Sequence, residues 1–71
     1  MQKVTILATW DEEASVWVAE SEDVPGLATG AASLELLAEK LRVVVPELLE
    51  ANHLPSNVDI QLQASRALVA A

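Results

Sequence analysis

The chain reads as a single α+β domain, residues 1–71, ordered β-β-β-α-β. The expected architecture is a three-stranded antiparallel sheet with one long helix on one face and a fourth strand after the helix. Three observations predict it. Apolar residues alternate with period two over residues 3–10, shift to a period of 3.6 from Leu34, and return to period two over 57–64. Pro25-Gly26 supplies a tight turn between the second and third strands. Ser33 stands where a helix should open.

The first strand puts Val4, Ile6, Ala8 and Trp10 on one face and Lys3, Thr5, Leu7 and Thr9 on the other. Residues 11–14, Asp-Glu-Glu-Ala, form a polar break of hairpin-loop length. Residues 15–21 hold Val16, Trp17 and Val18 and read as the second strand. Pro25 presets φ at the first central position of a type II turn, and Gly26 accepts φ > 0 at the next. Residues 27–29 are then a short third strand, which Gly30 is expected to break.

Ser33 is the N-cap, with Glu35 in the first turn, where the helix dipole favours a carboxylate. Leu34, Leu37, Ala38, Leu41, Val44, Val45 and Leu48 form an apolar stripe. The helix should run to about Asn52, a suitable C-terminal cap. Pro46 lies inside it and cannot donate to the carbonyl of Arg42, so a kink or two helical pieces are expected. Residues 57–64 set Val58, Ile60, Leu62 and Ala64 against Asn57, Asp59, Gln61 and Gln63, the pattern of a strand with one buried face. Ala67 to Ala71 is apolar and is expected to extend the strand, pair with a neighbour or fray.

A regular hairpin would set Ala8 opposite Trp17 and Ile6 opposite Ala19, facing the helix. Leu7, Val16 and Val18 would then gather on the far face, and exposed apolar side chains gathered on one face mark an interface. The composition points the same way. A chain of 71 residues buries only roughly 60% of the surface its unfolded form exposes. It has no cysteine, so disulfides and thiolate metal sites are excluded, leaving a partner subunit as the supplement to a marginal core.

Eleven Asp and Glu against four Lys and Arg give a formal net charge of −7. This charge repels phosphate backbones, which argues against nucleic acid; it suits a basic protein partner, or serves only to keep a small apolar domain soluble. No segment approaches the ~20 apolar residues of a membrane span, and the residues after Met1 lack a secretion-signal core. The expected compartment is the cytoplasm.

Signs of chemistry are weak. A serine needs a base to become a nucleophile. The single histidine, His53, falls in the loop after the helix and reads as a solvated loop residue. Six carboxylates, Asp11, Glu12, Glu13, Glu20, Glu22 and Asp23, read as a solvated acidic rim; their spacing matches no calcium loop. The same rim could dock a basic partner. Gly26 and Gly30 are the only glycines, so no phosphate-cradling loop is present. Trp10 and Trp17 are expected to fill the core of a protein with no Phe or Tyr. No catalytic, metal or cofactor-binding residues are expected.

Trp17-Val18-Ala19-Glu20, then Asp23-Val24-Pro25-Gly26-Leu27, then Thr29-Gly30 ahead of a helix, resemble the HicB-like antitoxin superfamily. The resemblance is strongest to an uncharacterised bacterial branch whose helix carries Pro-Glu-Leu-Leu and ends at Asn, here Pro46-Glu47-Leu48-Leu49 and Ala51-Asn52. It implies a partial ribonuclease-H-like fold without the catalytic carboxylates. It also implies assembly as a dimer or tetramer and, as partner, a small basic toxin that cleaves mRNA. Many members add a DNA-binding segment; none follows the fourth strand here, so operon repression is not expected.

The function expected is therefore a non-enzymatic protein-binding domain. It would self-associate through the apolar sheet face, a strand edge or the C-terminal tail, with neutralisation of a basic toxin as one role. Leu7, Val16, Val18 and the carboxylates Asp11, Glu12, Glu13, Glu20 and Glu22 would meet partners, while Asp23, Pro25, Gly26 and Gly30 would shape the turn. The alternatives are a small-molecule module with a helix–sheet or dimer-interface pocket lined by Trp10 or Trp17, and a hydrolase using Mg²⁺ at the acidic cluster.

Overall fold

The computed structural model describes residues 2–70. Met1 lies outside them, as does Ala71, read above as the end of the apolar tail. Strand β1 spans Gln2–Asp11, β2 Val16–Glu20, β3 Thr29–Ala31 and β4 Val58–Ser65, with helix α1 at Leu34–Ala51 between β3 and β4. The strands form one mixed sheet in the order β3-β2-β1-β4. β1 pairs antiparallel with β2 and parallel with β4, and β2 pairs antiparallel with β3. The helix carries the chain from β3 at one sheet edge to β4 at the other; both strands run in the direction of β1, and no tight turn can join strands that point the same way.

One face of the sheet meets the helix. Val4, Ile6, Ala8, Ala19 and Ala31 are buried there against Leu37, Leu41, Val45 and Leu49, spaced four apart on α1. Leu34, Ala38, Val44 and Leu48 flank that stripe half-buried. Leu49, absent from the expected stripe, takes the position past Val45 because the helix continues a full turn beyond Pro46. Val24, between two polar turns, is fully buried. Burying a side chain of the size of Ile6, Leu37, Leu41, Val45 or Val24 contributes about 1.5–3 kcal/mol each.

Both helix caps form as expected. The Ser33 hydroxyl accepts from Leu36 N–H at 3.1 Å, with Glu35 in the first turn. Asn52 is the C-cap. His53, at φ 59°, is the left-handed residue that follows. Its N–H donates to the Glu50 carbonyl at 3.0 Å and that of Leu54 to the Leu49 carbonyl at 2.8 Å. These two bonds make a Schellman stop, with histidine where glycine is usual. Pro46 does not divide the helix into two pieces. Its ring nitrogen supplies no donor to the helix, and the buried residues on either side, Val45 and Leu49, keep the segment in a single helix.

Three sequence expectations are corrected. First, the hairpin register sets Ala8 opposite Ala19 and Trp10 opposite Trp17, two residues away from the expected pairing. Asp11 joins β1, and its carboxylate accepts from Glu13 N–H at 3.0 Å and Ala14 N–H at 3.2 Å, while Ser15 takes φ 55°. The loop is therefore 12–15 instead of 11–14. A slip of two keeps every side chain on its expected face, whereas a slip of one would have inverted the sheet.

Second, Gly30 does not break β3. It lies at the strand's centre, opposite Val18. A Cβ there would stand 2.9 Å from the Trp17 carbonyl oxygen, so the strands approach closely only because the residue is glycine. Third, the tryptophans are half-buried rather than central. The fully buried side chains are aliphatic, and the two rings meet edge-to-face at one end of the sheet, centroids 5.4 Å apart. β1, β2 and β4 differ from expectation by one residue at each end, β3 lies two residues later than the expected 27–29, and residues 67–70 belong to no strand.

Candidate protein-interaction face

Among the described residues, the helix packs on one face of the sheet and leaves the other open. Leu7 and Val18 are exposed there, at 38% and 40%. Val16, Thr5 and Gly30 are half-buried on the same face, and Thr9, Gln61 and Gln63 are exposed beside them. Apart from Gly30, these are the residues that the expected alternation and hairpin placed on the far side. The hairpin thus gathers Leu7, Val16 and Val18 as the sequence predicts, with Val18 opposite Thr9 and Leu7 opposite Glu20.

At one end of this face, β2 stops at Glu20 while β1 runs on toward its N-terminus. Thr5 has no strand partner on that side, yet both its backbone groups are satisfied. Its N–H donates to the Asp23 carboxylate at 2.9 Å, and its carbonyl accepts from the Ser21 hydroxyl at 2.6 Å. The Ser21 oxygen in turn accepts from Asp23 N–H at 3.0 Å. Two side chains thus stand in for a strand, and this is the physical role of the carboxylate that precedes Val24-Pro25-Gly26. The turn then closes with Leu27 N–H on the Val24 carbonyl at 3.3 Å and Gly26 at φ 80°, as a type II turn requires.

The step where β2 ends leaves an open depression of about 450 Å³ lined by Thr5, Leu7, Glu20, Ser21, Glu22 and Asp23. Three carboxylates and one exposed leucine meet there. The acidic residues do not form one rim, however. Asp11, Glu12 and Glu13 lie at the hairpin tip, and Glu20, Glu22 and Asp23 at the opposite end of a five-residue strand, some 15 Å away. Asp11 caps its own loop, and Glu12 faces Arg66 at 3.8 Å across an exposed gap. The sequence grouped these six by chain position, and the strand between them separates them.

No cluster of His, Cys, Asp and Glu among the described residues could hold a metal ion. Neither tryptophan lines the depression at the end of β2. Trp10 is covered by the edge of Trp17 and by the Arg66 guanidinium, 4.3 Å from its ring centre. Fully buried Ile6, Leu37, Leu41 and Val45 fill the space between helix and sheet. His53 is exposed and shapes the helix stop. No helix among the described residues is long and apolar enough to cross a membrane.

A one-helix α+β domain with a four-stranded mixed sheet, one covered face and one open face is thus the class of protein this geometry defines. Residues 3–70 match a domain of unknown function, DUF1902, and the chain belongs to that family. The fold is similar to the crystal structure of the hypothetical protein TTHA1013 from the extreme thermophile Thermus thermophilus. That likeness has a TM-score of 0.85 at 56% identity, covering 97% of this chain and 100% of the other. No curated protein matches the chain.

Proposed function

We propose that this domain is a non-enzymatic protein-binding module of HicB-like character, which self-associates and presents its open sheet face to a basic protein partner. The observation that carries the reading is the uncovered face itself. Leu7 and Val18 are exposed on it, beside a depression lined by Glu20, Glu22 and Asp23. A monomer gains nothing from apolar side chains held in water, whereas an interface gains their burial, with carboxylates at the margin to steer an oppositely charged surface. The net charge of −7 favours the same class of partner. The β-β-β-α-β order and the Asp23-Val24-Pro25-Gly26 turn support the HicB-like resemblance, and with it a small basic toxin as the partner's chemical type. A cytoplasmic setting belongs to the same proposal.

The test is a tagged pull-down from the native host, with the eluate sized by light scattering and identified by mass spectrometry. A stoichiometric small basic protein is expected. Val18→Lys should abolish its capture while leaving the melting temperature within a few degrees of the parent. Retention of the partner by that variant would refute the assignment of the open face.

A further inference from the structure

The two edges of the sheet differ in how they are closed. β3 is three residues long, and the carbonyl of Gly30 within it is taken by the Lys40 ammonium at 2.7 Å. β4 is eight residues long and carries no proline, no basic residue and a single charge, Asp59. Short strands, inward or capping lysines and prolines are the devices that stop edges from pairing. β3 has two of them, and the body of β4 has none.

The backbone orientation along β4 follows from Thr5. Its N–H and carbonyl turn toward the β2 side, where Asp23 and Ser21 hold them. The groups of Val4, Ile6 and Ala8 therefore turn toward β4. In a parallel ladder a residue bonds the two neighbours of its opposite number, and Val4 stands opposite Ile60. Asp59, Gln61 and Gln63 thus point their backbone groups inward to β1, and Val58, Ile60, Leu62 and Ala64 point theirs outward. None of the turn, cap or side-chain hydrogen bonds among the described residues involves these four.

We infer that this edge pairs with the same edge of a second copy, antiparallel, about a twofold axis through Gln61. Only one register opposes all four outward residues to outward residues. It sets Val58 against the partner's Ala64 and Ile60 against the partner's Leu62, each pair twice by symmetry. Each such pair exchanges both backbone bonds, and the two helices lie on the same face of one continuous eight-stranded sheet. The side chains agree with the backbone. The helix-side positions are apolar throughout, and Val58, Ile60 and Leu62 are left only half-buried in one copy. On the open face Gln61 meets its own symmetry mate and Asp59 meets the partner's Gln63, so no like charges oppose. This self-complementarity makes a second copy the occupant, where an unrelated strand would have to match the pattern by accident.

The inference deepens the self-association part of the proposed function and rests on it, leaving the open face for a different partner. Sedimentation equilibrium on the untagged protein tests it. The parent should be dimeric. Ala64→Pro removes a donor that is unbonded in one copy, which an edge strand tolerates. It should raise the dimer dissociation constant roughly tenfold to thirtyfold, through two backbone bonds lost by symmetry. Gln61→Glu and Gln61→Lys, whose side chains are exposed, should each weaken the dimer by about fivefold, and an equimolar mixture should restore a one-to-one heterodimer. This charge exchange keeps the test decisive should the proline variant fail to fold. A monomeric parent would overturn both the inference and the self-association reading. A dimeric parent with all three variants unchanged would overturn the edge alone.

Discussion

Removing the Ser21 hydroxyl should be costly for so small a side chain. In Ser21→Ala the Thr5 carbonyl loses its donor at 2.6 Å and Asp23 N–H loses its acceptor at 3.0 Å. Each such bond contributes about 1 kcal/mol net, and Ser21 is half-buried, so the expected loss is about 2 kcal/mol. For a domain of this size each kcal/mol moves the melting temperature by roughly 4–8 °C, which predicts a fall of about 8–16 °C. Asp23→Ala removes one exposed bond to Thr5 N–H and should cost about 1 kcal/mol. Both side chains hold the same three residues in place, so the double variant should lose less than the sum, by about 0.5 kcal/mol or more. Urea unfolding followed by the fluorescence of Trp10 and Trp17 measures all three. A Ser21→Ala variant within about 2 °C of the parent would mean that water satisfies Thr5 equally well, and the side chains would not be acting as a substitute strand.

Other perturbations test the backbone. His53→Gly places glycine in the left-handed position at φ 59°, relieving about 1–2 kcal/mol of strain against a smaller entropy cost, so a net gain of about 0.5–1 kcal/mol in urea unfolding is expected. A loss would show that the imidazole makes a contact of its own. Gly26→Ala and Gly30→Ala should both destabilise, for different reasons. The first meets only Leu48 Cδ2 at 3.8 Å and costs about 1–2 kcal/mol through its φ of 80°. The second drives Cβ into the Trp17 carbonyl and costs about 1–3 kcal/mol. Hydrogen exchange separates them: Gly30→Ala should deprotect the β2–β3 amides selectively, and uniform loss across the sheet would contradict the close-approach account.

Much of the fold was legible because its signals are local. Ser33 and Asn52 declare the helix ends through bonds that span three or four residues. Pro25-Gly26 declares its turn through two dihedral angles. Strand faces followed from alternation together with an assumed hairpin register, and the assignment of Leu7, Val16 and Val18 to the open face survived because the register differed by an even number, two. That register was illegible because it depends on whether Asp11 caps the loop or begins it, and both are compatible with the sequence. Gly30 was misread for a related reason. Glycine signals either a break or a close approach, and only the position of the Trp17 carbonyl distinguishes them.

The candidate site divides in the same way. The sequence by itself determined which residues are apolar and outward, and that the chain carries an acidic excess. Only the tertiary structure decided that the six carboxylates form two groups, because a rigid strand holds apart what the chain places close together. It also decided that β4 lies parallel beside β1 at the edge of the sheet, and that Ser21 and Asp23 close the other side of β1. Partner choice among strands is set by which arrangement buries Ile6, Val24, Leu37 and Leu41 together. That is a property of the whole packed core, which no local pattern encodes.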